Sequence, residues 1–153
     1  MHPYKLKLAE FLPIFLQGLN KLLDLGGNFV TTTTSYHDTV ELAGKATKNR
    51  RDEIYYIIGF PPGPEKKMRK HLEKALRDLQ TDYIDLCFSY LYGTDEGFEI
   101  YRKFQKEGKI RFIGLSQHDP RLHEWAIRKG YVDFIQAPYN RLSMIKQGTG
   151  DNI

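Results

Sequence analysis

Five histidines and a single cysteine are the residues of this 153-residue sequence best suited to hold a metal ion. His2, His37, His71, His118 and His123 do not cluster with Cys87 at metal-ligand spacing, and His118 and His123 flank a helix start, where exposure is expected. Asp78, Asp82 and Asp85 could form a carboxylate cluster for proton transfer. Asp78 and Asp82 instead suit helix-end and turn roles, and Asp85 is expected to bond backbone near its strand. Gly59 and Gly63 lack the following Lys-Ser/Thr of a phosphate-binding loop, so Pro61-Pro62-Gly63-Pro64 is a rigid turn. Ser116 is better placed for chemistry. It ends the run Gly108-Lys109-Ile110-Arg111-Phe112-Ile113-Gly114-Leu115-Ser116, at the C-terminal end of a strand, where α/β folds put their active sites.

A strand must hold Ser116 there, and the rest of the chain supplies similar units. Gly108 suits the left-handed position that ends a helix. Ile110, Phe112 and Ile113 then fit a strand buried on both faces, as in parallel sheets. Residues 1–12 are an irregular lead-in, and Pro13 opens a helix carrying Ile14, Phe15, Leu16, Leu19, Leu22 and Leu23 up to Gly26-Gly27. Asn28–Thr33 is a β-branched strand. Asp38 caps a second helix that runs to about Thr47. Glu53–Phe60 is the next strand, and Met68, Leu72, Leu76 and Leu79 mark a third helix. Tyr83–Tyr90 is a strand, and Thr94 caps a helix bearing Phe98, Tyr101 and Phe104. Asp119-Pro120 caps and opens a helix that Gly130 ends, and Tyr131–Tyr139 contains the last strand. Strand and helix recur roughly every 25 residues, the length of a βα unit. That alternation implies a parallel sheet with helices outside. No low-complexity linker interrupts it, so residues 1–153 are expected to form one domain, with 144–153 as a disordered tail.

Composition excludes several classes. The net charge is +4, but Lys45, Lys48, Arg50 and Arg51 are balanced at once by Asp52 and Glu53. No basic run is interleaved with aromatics in one element, so nucleic acid is not an expected partner. No apolar run reaches the roughly 18 residues of a membrane span. The opening residues do not resemble a signal peptide, since Glu10 and Pro13 interrupt the apolar residues. A lone Cys87 in an apolar run is a buried small hydrophobe in a reducing compartment. Together these place the chain in the cytoplasm.

The stretch 108–116 resembles the fifth-strand signature of the aldo-keto reductases. Leu23-Asp24-Leu25-Gly26-Gly27-Asn28-Phe29-Val30 is similar to that family's approach to its second strand. Leu76–Leu86 resembles the lead into the fourth strand, and Phe134-Ile135-Gln136-Ala137-Pro138-Tyr139-Asn140 resembles the sixth. Four such stretches in order, over residues 13–140, imply common descent. The resemblance implies an incomplete (β/α)8 barrel with about five parallel strands, from the first helix to the sixth strand of the family. A full barrel of this kind has about 250 residues.

The family reduces carbonyls with NADPH, using an Asp, a Tyr, a Lys and a His at strand ends. The Tyr protonates the developing alkoxide, and the Lys lets a phenol of pKa about 10 share its proton near neutrality. Tyr36, in Thr34-Ser35-Tyr36-His37-Asp38, matches the Tyr. The Asp, Lys and His positions are Thr31, Gly59 and Tyr90. His37 is adjacent to Tyr36 but belongs to a solvated loop. Ser116 and Gln136 match positions that bond the nicotinamide carboxamide, and Gln117 stands where an Asn is usual. Read from their surroundings alone, these are a polar strand end and a core Gln.

The resemblance therefore implies an NADPH-dependent carbonyl oxidoreductase acting on a small carbonyl compound, impaired by loss of three of four catalytic positions. A pseudoenzyme or interaction module on the same scaffold, or a fragment without activity, are the alternatives. The family's phosphate and adenine contacts come from units seven and eight, so NADPH binding is expected to be weak. A barrel arc of five strands also has open edges at Asn28–Thr33 and Asp133–Tyr139. Self-association is expected there, unless Leu6, Leu8, Phe11 and Leu12 of the lead-in cover one.

Overall fold

The computed structural model describes residues 8–36, 38–90 and 94–138, with side chains from residue 12 onward. The first helix, α1 (Leu8–Asp24), begins earlier than the sequence suggests, and Pro13 lies inside it. Near the start of a helix a proline removes only the one bond it would donate to the residue four before it. The apolar stripe therefore continues through it, with Leu19 and Leu23 reaching the core. From Leu8 on, the supposed lead-in is thus part of a helix that lies beside the second helix rather than across the sheet. Leu6 and the tail at 144–153 fall outside the described residues.

Five strands follow, alternating with helices: β1 (Phe29–Thr33), α2 (Thr39–Thr47), β2 (Tyr55–Gly59), α3 (Glu65–Leu79), β3 (Ile84–Ser89), α4 (Asp95–Lys106), β4 (Ile110–Ser116), α5 (Pro120–Arg128) and β5 (Phe134–Gln136). All pairs are parallel, and the sheet order is the sequence order, so the strands form a curled half-barrel. This is the expected arc of a (β/α)8 barrel. The strand expected from Glu53 begins at Tyr55, because a single 3₁₀ turn takes up Arg51–Glu53.

Local signals set most boundaries. Gly108 and Gly130 have φ of 72° and 66°, the left-handed geometry that stops α4 and α5. Thr94 Oγ1 accepts from Gly97 N, and Asp119 accepts from Arg121 N, each satisfying an orphan helix donor. Asp38 makes no side-chain cap bond. The start of α2 is instead tied to β1 by a 2.7 Å bond between Thr39 Oγ1 and Thr32 Oγ1.

The core lies between the convex face of the sheet and the helices. Tyr56, Ile58, Cys87, Ile113 and Leu115 meet Met68, Leu72, Phe98, Tyr101 and Phe104 there, all 1% exposed or less. Burial pushes the Cys87 thiol well above its ordinary pKa, which suits a small hydrophobe. The concave face is different. Phe112 was expected to be buried and is 51% exposed, because it shares a face with Leu86, Ile57 and Tyr55 that no described helix covers. His123, expected at the surface, is 7% exposed, and its Nε2 has no hydrogen-bond partner among the described residues. Burial holds its pKa below the ordinary value, which keeps the imidazole neutral.

Asp85 anchors the end of the sheet opposite Ser116. It is 1% exposed. Its Oδ2 accepts from Tyr56 N at 3.1 Å and from Arg51 Nη2 at 2.8 Å, and its Oδ1 from Arg111 Nη1 at 3.1 Å. The expected backbone bond is present, but on the neighbouring strand. The guanidinium carbons of Arg51 and Arg111 lie 4.4 and 4.6 Å from the centre of the Tyr83 ring.

Where α2 meets the end of α3, only glycine fits. A Cβ on Gly44 would lie 2.1 Å from the Asp78 carbonyl oxygen and 2.7 Å from Leu79 Cα. Backbone cannot rotate away as a side chain can, so α2 would have to lift. Gly44→Ala is expected to lower stability by about 1–3 kcal/mol despite alanine's better helix propensity. Urea denaturation followed by circular dichroism measures this, and an unchanged midpoint would contradict the close approach.

Candidate active site

Each parallel strand delivers its last residue to one rim. Tyr36 follows β1, Gly59 ends β2, Tyr90 follows β3, Ser116 ends β4 and Gln136 ends β5. Ser116 and Gln136 are register partners, as are Thr33 and Gly59. The candidate residues, scattered from 36 to 136 in sequence, thus lie on one side of the sheet's C-terminal edge.

The β1–α2 turn holds Tyr36 at this rim. Tyr36 N donates to Thr33 O and its carbonyl accepts from Thr39 N, both at 3.1 Å, so the residue is tied to the end of β1 and the start of α2. The residue is 62% exposed. The neighbouring Ser35 Oγ hydrogen-bonds the Tyr90 hydroxyl. Gln117 Nε2 donates to Tyr90 O at 3.0 Å, and Gln117 N donates to Gln136 O at 3.2 Å. Tyr90 therefore links the loop carrying Tyr36 to the strand end carrying Ser116 and Gln117. His37 lies outside the described residues.

Two rings form the floor beneath the rim. A Cβ on Gly59 would lie 2.5 and 2.6 Å from Cε2 and Cζ of Phe88 and 3.0 Å from Tyr90 Cδ1. A Cβ on Gly114 would lie 2.3 Å from Phe134 Cζ. Phe88 and Phe134 thus lie sideways over the glycines of neighbouring strands. The place where a lysine side chain would leave β2 is filled by the Phe88 ring.

Sequence reasoning missed one residue near the rim. His71, on α3, meets Thr34 Oγ1 through Nδ1 at 3.1 Å, and its ring stacks on Phe60 at 6.3 Å between centroids. Burial, with help from Lys67 and Lys70, holds its pKa below the ordinary value. Nothing in the local sequence links His71 to Thr34. The contact arises because α3 crosses back over the loop after β1.

The candidate side chains at the rim are uncharged. Ser116 offers a hydroxyl, and Gln117 and Gln136 offer primary amides, a set that can both donate to and accept from a carboxamide. None of the four loops leading from a strand to the next helix contains Lys or Arg. Among the described residues no group of His, Cys, Asp or Glu could hold a metal ion, and no helix is long and apolar enough to cross a membrane.

Comparison with known proteins agrees with the fold. The chain is 28% identical over 141 residues to the uncharacterized oxidoreductase YqkF of Bacillus subtilis, covering 80% of this chain and 46% of YqkF. It is 31% identical over 108 residues to the methylglyoxal reductase DkgA of Escherichia coli, covering 65% of this chain and 39% of DkgA. The crystal structure of an aldo-keto reductase from Klebsiella pneumoniae in complex with NADPH superposes with a TM-score of 0.79 at 27% identity, over 86% of this chain and 50% of that one. The chain spans about half the length of these relatives or less. The family model described as Aldo/keto reductase family matches residues 14–149, and the chain belongs to that family.

Proposed function

We propose that this chain carries the strand-end half of an NADPH-dependent carbonyl oxidoreductase site, cytoplasmic, with proton transfer impaired. The observation that carries the reading is the meeting of Tyr36, Tyr90, Ser116, Gln117 and Gln136 on one rim. NADPH, when bound, supplies the hydride. Ser116, Gln117 and Gln136 would hold its carboxamide, because a hydroxyl and two amides match that group's donor and acceptor. Tyr36 would give a proton to the oxygen of a small carbonyl compound. Tyr90, in place of a His, offers a neutral hydroxyl toward the same rim.

Phe88 favours a second reading on the same scaffold, that of a fold kept without turnover. With its ring over Gly59, β2 brings no cation to the rim. General acid–base catalysis contributes about 10²- to 10⁴-fold, and the 153-residue chain is expected to fall short of ordinary turnover by at least that factor. NADPH oxidation with a panel of aldehydes and ketones measures it. Turnover of about 1–10³ s⁻¹ that disappears in Tyr36→Phe would contradict impairment and establish the enzyme. Binding is expected to be weaker than micromolar, since charged phosphates usually bring the strongest contacts and these loops lack Lys and Arg. A fluorescence titration that tightens below micromolar and ignores Gln136→Ala would place the cofactor elsewhere.

A further inference from the structure

We propose that His71 is a positioning residue for Tyr36: from α3 its imidazole holds the β1–α2 loop by the Thr34 side chain and so fixes where the Tyr36 ring stands on the rim. Its effect on rate rests on the reading of Tyr36 as the proton donor, while the placement itself is measured without any turnover.

Tyr36 has little packing to place it. The residue is 62% exposed, so the position of its ring follows the backbone of residues 33–36. Three bonds hold that backbone from the sheet. Thr34 N donates to Gly59 O at 3.0 Å, Ser35 N to Thr33 Oγ1 at 3.1 Å and Tyr36 N to Thr33 O at 3.1 Å. They reach β1 and the end of β2 only. α3 supplies a further hold, where Thr34 Oγ1 meets His71 Nδ1 at 3.1 Å, 37 residues apart in sequence and two residues before Tyr36.

The helix side of this contact is anchored in the core. The His71 ring lies nearly parallel to that of Phe60, with 6° between their planes and 6.3 Å between centroids. Phe60 is 0% exposed, and its carbonyl accepts from the Tyr101 hydroxyl at 2.8 Å. Its ring lies 5.2 Å from that of Tyr101. A line of contacts therefore runs from the core through Phe60 and His71 to Thr34, and ends beside Tyr36. The residue type suits the task. A neutral imidazole can accept from a hydroxyl at Nδ1 or donate to it, while it presents a flat face to a phenyl ring. Burial and the nearby Lys67 and Lys70 favour that neutral form. His71→Phe would keep the flat face and lose the bond.

Fluorine NMR of the full 153-residue chain carrying 3-fluorotyrosine tests the proposal. The Tyr36 resonance is the one lost in Tyr36→Phe. His71→Phe and the nearly isosteric Thr34→Val are each expected to move it. The two together should move it no further than either alone, because both remove the same bond. His71→Asn, whose amide reaches the place of Nδ1, is expected to bring the resonance back toward the parent. His71→Gln, whose amide reaches the place of Nε2, is not. Far-ultraviolet circular dichroism checks that each variant is folded. A Tyr36 resonance unmoved in folded His71→Phe and Thr34→Val overturns the proposal, even if both unfold more easily. So do additive shifts, or the same resonance in His71→Asn and His71→Gln. Turnover that depends on Tyr36 is expected to fall about tenfold or more in His71→Phe, in kcat rather than KM. A moved resonance with unchanged turnover would count against Tyr36 as the proton donor and leave its placement by His71 standing.

Discussion

Asp85→Ala is expected to lower the stability of the chain by about 1–3 kcal/mol, the effect of leaving a buried backbone donor without its acceptor and a partly buried arginine without its counter-charge. Domains of this size are stable by only about 5–15 kcal/mol, so the loss is a sizeable fraction of the total. Asp85 is 1% exposed and joins two arginines to the backbone of β2. Without it, Tyr56 N loses its acceptor in the protein interior, Arg51 keeps only Thr81 Oγ1, Ile54 O and Tyr83 O, and Arg111, more exposed, can turn to water. Asp85→Asn keeps an acceptor for Tyr56 N and removes the charge, so a smaller loss is expected. Arg111→Ala should be milder still. Urea denaturation of the three variants gives the order directly. An Asp85→Ala midpoint close to the parent would show that the network is replaceable by water.

Restoring a lysine at the rim is expected to fail unless the ring beside it is removed. Gly59→Lys alone brings Cβ within 2.6 Å of two Phe88 ring atoms. Overpacking of that kind typically loses about 1–3 kcal/mol, and carbonyl reduction should stay at background. Gly59→Lys with Phe88→Val, Thr31→Asp and Tyr90→His rebuilds the cation, its carboxylate partner and the carbonyl-facing imidazole. Thr31 and Gly59 are diagonal neighbours across the β1–β2 ladder, close enough for a carboxylate and an ammonium to meet. This variant is expected to reduce aldehydes about 10²- to 10⁴-fold faster than the parent at matched NADPH, and to lose the gain in Tyr36→Phe. Absorbance of NADPH follows the rate. A gain that persists in Tyr36→Phe would mean that the proton comes from another group.

The βα alternation was legible because it is written locally. Gly108, Gly130, Thr94 and the pair Asp119-Pro120 each carry their instruction in one or two residues, and the backbone obeys them. Pro13 misled because proline is favoured at a helix's first turn yet tolerated a little further in. Asp38 misled because a capping residue is only an offer, and Thr39 took the contact to Thr32. Burial of Phe112 was misjudged for a deeper reason. An apolar run says that a strand suits burial on both faces, but a second face is buried only if something lies across from it. At the rim, the strand ends could be placed by register with a period of two. The Phe88 ring over Gly59 could not, since the contact depends on how a side chain of one strand leans across its neighbour.

The order of strands in the sheet, identical to their order in the chain, bears on how the molecule is made. Among the described residues each strand after β1 pairs with the one made just before it. Mean sequence separation of contacts is therefore low for a parallel sheet, which favours fast folding. On the ribosome, β1 and β2 can associate while β4 is still being translated, and each later unit adds to a formed edge. The growing arc presents an adhesive edge at every stage, so the hazard during synthesis is association between neighbouring nascent chains rather than a wrong pairing within one.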